Sequence, residues 1–204
     1  MFMKTITTFS FVIAVALGAI ALTSCSSEST TPEPPVVSTT RLFSNVQSDS
    51  VVKWTYFSLD SMKVVDPGAT TWDIRLPYIY CCGRTKSIPI QLNSGTNGTG
   101  SVLGSVVSGR FETVTGIPAG VTLRSDDTTR PVVPLAVLGP DAFFIYDIAT
   151  HTLRPSPDKT LLVKSLSGKL YKFSVTSIYK DAITSPTLDT PIGFYHFRVA
   201  NLTQ

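Results

Sequence analysis

Lys159-Thr160-Leu161-Leu162-Val163-Lys164-Ser165-Leu166-Ser167-Gly168-Lys169-Leu170-Tyr171-Lys172-Phe173-Ser174-Val175-Thr176-Ser177-Ile178-Tyr179 is the stretch whose reading decides the fold. Residues 160–166 and 170–179 are both rich in β-branched, aliphatic and aromatic side chains, which suit a pleated, half-buried surface. Between them stands Ser167-Gly168-Lys169, and a glycine there suits the positive φ of a tight hairpin. Side chains alternate across a strand with period 2. The second run therefore puts Tyr171, Phe173, Val175, Ser177 and Tyr179 on one face. The stretch reads as an antiparallel hairpin.

Outward from it, similar runs recur. Strands are expected at 41–46, at 51–59, at 64–65 before the Asp66-Pro67-Gly68 turn, and at 71–76, 78–82 and 87–92. They continue at 101–107, at the short runs 111–114 and 121–123, and at 142–147 and 194–200. Asn93-Ser94-Gly95-Thr96-Asn97-Gly98-Thr99-Gly100 reads as a flexible Gly/Asn loop. Residues 124–140 read as irregular, with Asp126-Asp127 a solvated turn. No internal repeat and no long 3.6-residue period is present; a short helix could follow Val107 or lie near Asp181. Strands broken by turn signals at short spacing imply an all-β domain of sandwich-like antiparallel sheets, with few or short helices.

The amino terminus is of another kind. Lys4 precedes an almost wholly apolar run over 9–22, which ends in Leu22-Thr23-Ser24-Cys25. The run is shorter than the ~20 residues that span a bilayer. Small residues before a cysteine form a lipobox, so 1–25 is expected to be a signal peptide and Cys25 the lipidated residue of the mature chain. Several acyl chains would anchor stably where one is marginal. Residues 26–40, with Pro32-Glu33-Pro34-Pro35 at their centre, read as a Ser/Thr/Pro-rich linker that cannot bury enough apolar surface to order itself. Residues 41–204 are then a single all-β domain. No aspartate follows Cys25 directly, which disfavours inner-membrane retention and points to the outer membrane or cell surface of a Gram-negative bacterium.

Charge and cysteine count exclude other classes. Charged residues are 15 % of the 204, and the net charge is +3 before Lys4 leaves with the leader. With no basic stripe, nucleic acid is excluded as a partner. Cys81 and Cys82 are adjacent, so on a strand they point to opposite faces. They read either as small apolar strand residues or as a strained vicinal disulfide. No Gly-x-Ser-x-Gly, His-Glu-x-x-His, phosphate loop or dinucleotide fingerprint appears, so the chain is not expected to be an enzyme. Asp73, Asp126, Asp127 and Asp141 lack calcium-loop spacing.

Several motifs, in order, resemble one family. They are Thr71-Trp72-Asp73-Ile74, then Gln91-Leu92-Asn93-Ser94-Gly95 with the glycines to Gly100, then Phe111-Glu112-Thr113-Val114 and Pro118. Tyr146-Asp147 leads to Thr150-His151-Thr152-Leu153-Arg154-Pro155, then the hairpin quoted first, then Gly193-Phe194-Tyr195-His196-Phe197-Arg198-Val199. Over residues 40–200 the chain resembles the HmuY-type heme-binding lipoproteins, with Gln91 where an arginine is common. The resemblance implies an all-β, right-hand-shaped domain that captures heme or a related porphyrin at the cell surface and passes it to an outer-membrane receptor. It implies two axial side chains and no catalysed reaction.

Heme iron takes imidazole, thioether or thiolate ligands. His151 lies in the segment that matches the family's second ligand. The first ligand segment should precede Gly139-Pro140-Asp141, and that stretch has neither His nor Met. His196 and Met62 fall elsewhere, so no second axial ligand is assigned; single ligation by His151 or a site shared by a dimer would answer that. The plain alternative makes the His151 segment a turn before a strand, with its imidazole on a backbone carbonyl. His196, alternating with Phe194 and Arg198, reads as a strand residue. Tyr78, Tyr80, Phe143, Phe144 and Tyr146 read either as core or as porphyrin-stacking rings. The competing function is a non-heme surface β-domain that binds another ligand or a partner protein.

Overall fold

The computed structural model describes residues 39–48, 51, 53–78 and 90–202. Cys25, the leader, the linker to residue 38, Tyr80 and the Cys81-Cys82 pair lie outside the described residues, as does most of the strand expected at 78–82. In chain order the strands are β1 (Arg41–Gln47), β2 (Trp54–Ser58), β3 (Lys63–Val65), β4 (Ile74–Pro77), β5 (Gln91–Leu92) and β6 (Leu103–Ser108). After them come β7 (Phe144–Asp147), β8 (Thr152–Pro155), β9 (Lys159–Lys164), β10 (Leu170–Tyr179) and β11 (Ile192–Asn201). Among the described residues the helical content is one 3-10 turn, Lys180–Ala182, at the place expected near Asp181.

The hairpin read first is the centre of the larger sheet. β9 and β10 pair antiparallel, with Leu170 opposite Lys164 and Phe173 opposite Leu161. Gly168 closes the turn at a φ of +84°, a conformation glycine adopts without a Cβ penalty. This sheet runs β1-β11-β10-β9-β6; a second runs β3-β2-β4-β5, and β7-β8 stand apart as a hairpin. Every pairing among these strands is antiparallel. The fold is the all-β, sandwich-like arrangement the sequence implies.

The two sheets share one apolar core. Phe57, Leu59, Ile74, Leu76, Ile90 and Leu92 come from the smaller sheet and its flanks. They meet Leu161, Val163, Tyr171, Phe173, Tyr195, Phe197 and Val199 from the larger. Phe43 stacks on Phe197 at 4.9 Å, and Phe57 meets Phe197 edge-on at 5.1 Å. Full burial of each such side chain contributes about 1.5–3 kcal/mol before chain entropy is counted.

Four sequence expectations need correction. In β10, Tyr171, Phe173 and Val175 do face the core, but the register shifts between Val175 and Ser177 and again before Tyr179. Ile178 and Tyr179 both reach the core as a result, because a bulge inserts a residue and breaks strict alternation. Residues 111–114 and 121–123 are not strands: Thr113 and Val114 both donate to the Arg110 carbonyl as a turn, and Val121 donates to Pro118. Their apolar side chains cover the outer face of the larger sheet, where Val107, Val114, Leu162, Leu170 and Leu202 form a second cluster with Val121 and Leu123. The chain meets the free edge of β6 only after them, in the single antiparallel bridge of Arg124 to Gly104. The strand expected at 51–59 is shorter, since Lys53 takes a φ of +68° just before β2 begins.

Candidate functional site

The 93–100 segment, expected to be flexible, is packed and hydrogen-bonded. Asn93 is buried; its amide donates to Trp72 O at 2.8 Å and Thr70 O at 3.3 Å, and its oxygen accepts the Gly100 N–H at 2.9 Å. Asp126, expected to be solvated, is fully buried. One carboxylate oxygen accepts Leu92 N–H at 2.9 Å and Asn97 Nδ2 at 3.0 Å, while the other accepts Val132 N–H at 2.7 Å. Its own N–H donates to Ser94 Oγ at 3.0 Å. Of the two, Asp127 is the one in reach of solvent: it is half-buried, and hydrogen bonds from Thr129 hold its carboxyl below the ordinary range. The Gly/Asn loop and the irregular 124–132 stretch are thus bound together through side chains. Backbone groups that lack a ladder must find such partners when buried.

Trp72 and Asp73 serve the same frame. Asp73 is buried and spans two segments through backbone N–H bonds. Burial pushes its carboxyl above the ordinary value, against the N–H donors of Leu166 and Leu59. Gln91, at the position where the family resemblance expects an arginine, accepts Arg75 Nε at 2.7 Å. The Arg75 guanidinium lies 4.4 Å over the Trp54 ring and 5.4 Å from Trp72, a cation–π arrangement.

His151 sits at the tip of the β7–β8 hairpin. One Asp147 carboxylate oxygen accepts the Ala149 N–H at 2.9 Å and the Thr150 N–H at 3.1 Å, which closes the turn and holds that carboxyl below its ordinary value. His151 follows at a φ of +53°, an uncommon left-handed conformation in which histidine is enriched. Across the hairpin, the Tyr146 hydroxyl and His151 Nδ1 share a hydrogen bond of 2.6 Å. The segment is a turn before a strand, as the plain alternative held, but the imidazole meets a phenol and not a backbone carbonyl. The hairpin is anchored to the core: Phe143 and Phe144 are buried, Leu153 N–H donates to Tyr179 Oη at 2.9 Å, and Ser156 N–H donates to Phe143 O. Tyr146 N–H donates to Val137 O at 2.9 Å, so the irregular stretch runs alongside. Leu138 in that stretch is 58 % exposed and Ile148 in the turn is 66 % exposed.

The other candidates are placed elsewhere. His196 is buried on β11 and donates from Nε2 to Tyr179 O at 3.0 Å, the carbonyl bond first considered for His151. Met62 takes a φ of +52° and packs at the edge of the core. Of the aromatic candidates, Phe143 and Phe144 are core, and Tyr78 lies under the Lys53 ammonium. Among the described candidates, only Tyr146 joins His151. The sequence offered Tyr146 as a core residue or a stacking ring; its pairing with His151 depends on where the hairpin turns. Among the described residues no group of three or more His, Cys, Asp or Glu could hold a metal ion.

A cleft of about 840 Å³ lies between the β2–β3 turn and the β9–β10 turn, lined by Asp60, Ser61, Lys63, Asp66, Thr71 and Ser167 among others. Asp60 closes its inner wall, accepting Ser167 Oγ at 2.6 Å, Ser165 Oγ at 2.9 Å and Tyr171 Oη at 3.1 Å. Burial raises its carboxyl, and these hydrogen bonds outweigh burial to hold it below the ordinary range. Among the described residues no helix is long and apolar enough to cross a membrane.

No protein-family model matches the chain, and no curated protein matches it. Solved structures do. A candidate lipoprotein of Bacteroides fragilis is 15 % identical at a TM-score of 0.46, over 82 % of this chain and 92 % of its own. A candidate HmuY-like heme-binding protein of Bacteroides vulgatus is 15 % identical at a TM-score of 0.46, over 82 % of this chain and 93 % of its own. The apo HmuY analogue of Tannerella forsythia is 13 % identical at a TM-score of 0.47, over 82 % of this chain and 97 % of its own. The chain is thus similar to solved HmuY-like proteins, the family that its sequence motifs resemble.

Proposed function

We propose that the chain is a lipid-tethered carrier of heme or a related porphyrin, with His151 facing the iron. Cys25 carries the lipid, residues 26–40 space the domain from the membrane, and residues 41–204 carry the ligand. The protein works at the outer membrane or cell surface of a Gram-negative bacterium and hands heme to an outer-membrane receptor without catalysing a reaction.

The observation that carries this reading is the placement of His151. It is an exposed imidazole on a turn fixed by Asp147; the same turn carries exposed Ile148, and Leu138, next in sequence to the Val137 that accepts the Tyr146 N–H, is exposed as well. An imidazole is a heme-iron donor, and apolar surface suits a porphyrin face. Exposed Arg154 on β8 and the Thr150 hydroxyl are of the chemistry that meets propionates. The donor set therefore fits heme.

The test is a hemin titration of the purified chain, followed by absorbance in both redox states. His151→Asn is the informative variant, because asparagine tolerates positive φ and the turn is kept. The expected result is a saturable Soret shift in the native chain and its loss in the variant. A shift that survives the substitution moves the site elsewhere; no saturable shift in either state sinks the carrier reading.

The second reading, a non-heme surface β-domain, is favoured by the 840 Å³ cleft. Its lining mixes Asp60, Lys63, Asp66 and Thr71 with Val64, Val65 and Leu166, which suits a ligand or peptide with both polar and apolar groups.

A further inference from the structure

We infer that the free edge of β3 takes up an extended peptide as a further strand of the smaller sheet, with a lysine or arginine of that peptide directed toward Asp60. This deepens the reading of the cleft given above and rests on it.

The sheet has an open place for such a strand. β3 is the end strand of the order β3-β2-β4-β5, and among the described residues it pairs with β2 alone. The other outer strands of the two larger sheets are blunted. β6 is met by the Gly104–Arg124 bridge, β1 is broken by a register shift between Phe43 and Val46, and β5 gives its Leu92 N–H to Asp126. Bulges and covered edges are how sheets avoid stray pairing. β3 instead runs beside open volume, and Val64 is 51 % exposed. The cleft of about 840 Å³ reaches from Asp60 and Ser61 to Val65 and Asp66. A second cavity of about 370 Å³ shares Val64, Val65 and Asp66 and continues to Pro67, Trp54 and Val46. Together they line β3 from end to end. Strand addition draws affinity from main-chain hydrogen bonds and specificity from side-chain pockets beside the edge. Both parts are present here.

The trough changes character along its length, and this sets the chemistry of the occupant. Toward Pro67 it is apolar and aromatic, with Val46, Trp54 and Tyr56. Toward the β2–β3 turn it carries two carboxylates, Asp60 and Asp66, against one ammonium, Lys63. Neutral donors alone hold the Asp60 carboxylate: Ser165 Oγ at 2.9 Å, Ser167 Oγ at 2.6 Å, Ser167 N–H at 3.2 Å and Tyr171 Oη at 3.1 Å. Neither ion pair between described residues includes Asp60 or Asp66. A basic side chain supplies the missing counter-charge, and an aliphatic or aromatic one suits the other end. A strand as short as β3, opening with Lys63, guards against open-ended pairing of one copy with the next. It does not bar a short peptide, for which the trough supplies the remaining contact.

The probe is a capped hexapeptide of alternating valine and threonine with lysine at one end and phenylalanine at the other. Two isomers carry N-methyl groups on alternate residues, one isomer blocking each edge of the extended peptide. The purified chain is titrated without hemin, and binding is read by backbone amide shifts and amide hydrogen exchange. The expected result is saturable binding with slowed exchange within Lys63–Val65. One methylated isomer should bind as the parent does and the other should not. Glutamate in place of the peptide lysine should weaken binding about 10-fold, and Asp60→Asn should shrink that ratio. The lysine-to-glutamate comparison on the native chain stands whether or not Asp60→Asn folds. The inference is overturned if Ser61, Thr71 and Leu166 shift while both isomers bind alike and β3 exchange is unchanged, since the cleft would then hold its ligand without strand pairing. It is overturned equally if the glutamate peptide binds as tightly as the lysine one. A dimeric chain whose β3 amides are protected without peptide overturns it too, because a second copy would fill the edge. No shift at any of these residues refutes the cleft reading as well.

Discussion

Asp73 and Leu166 are 93 residues apart in sequence, and one oxygen of the Asp73 carboxylate accepts the Leu166 backbone N–H at 2.9 Å. The other oxygen accepts Leu59 N–H at 2.7 Å. One buried side chain thus joins the end of β2, the approach to β4 and the β9–β10 turn, and so fixes one sheet against the other. An asparagine can accept only one of these bonds and would aim its NH₂ at the second N–H. Asp73→Asn should destabilise the chain by about 2–3 kcal/mol, the scale of a buried donor left unpaired beside a lost charge-assisted bond. Urea unfolding monitored by tryptophan fluorescence checks this, and an unchanged midpoint would refute the clamp.

Asp60 and Asp73 should give opposite pH dependence. The Asp60 carboxyl is held below its ordinary value of 3.8, so its contribution is present above that pH and is lost as pH falls through the lower folded value. The Asp73 carboxyl is raised above 3.8, so the folded state binds its proton more readily, and its contribution declines as pH rises from 3.8 through the folded value. Stability profiles of Asp60→Asn and Asp73→Asn should flatten on opposite sides of that pH. Identical profiles would contradict the assignment.

The neighbouring aspartates 126 and 127 should behave very differently. Asp126→Ala leaves three buried donors without their acceptor, on Leu92, Asn97 and Val132, and should cost about 3–5 kcal/mol. Asp127→Ala removes only a turn cap on Thr129 and should move the unfolding midpoint little. Equal midpoints for the two variants would show that the buried network does not stabilise the fold.

The glycines of the 93–100 segment are held by close approach. A Cβ on Gly100 would lie 2.7 Å from the Asn93 carbonyl oxygen and 2.8 Å from Leu166 Cδ2; one on Gly98 would lie 2.9 Å from Trp72 Cζ2. Gly100→Ala should destabilise by about 1–3 kcal/mol through overpacking. Gly116→Ala, with nothing within 4 Å, is the control and should change little. A flexible loop would tolerate both equally in thermal unfolding.

The two histidines separate structure from binding. His196→Ala removes a buried group bonded to Tyr179 O and should cost about 1–3 kcal/mol while leaving the hemin titration unchanged. His151→Asn should do the reverse. If His196→Ala alone removes the Soret shift, the site is not on the β7–β8 hairpin.

The sequence by itself determined the class of fold, the β9–β10 hairpin and the closing strand. Alternation, β-branched composition and Gly168 are local signals, and local signals suffice where a turn fixes register. It also set the resemblance that names heme, and it marked His151. Only the tertiary structure decided what the polar residues of the loops do. Asp126, read as solvated, became a buried acceptor because loop 93–100 and residue Val132 converge on it from distant parts of the chain. Residues 111–123, read partly as strand, became a cover because the apolar outer face of the larger sheet needed one. The Tyr146–His151 bond was hidden in the same way. It depends on where the chain reverses between two strands, and no propensity of either residue carries that information. Burial follows composition; partnership follows the path of the backbone.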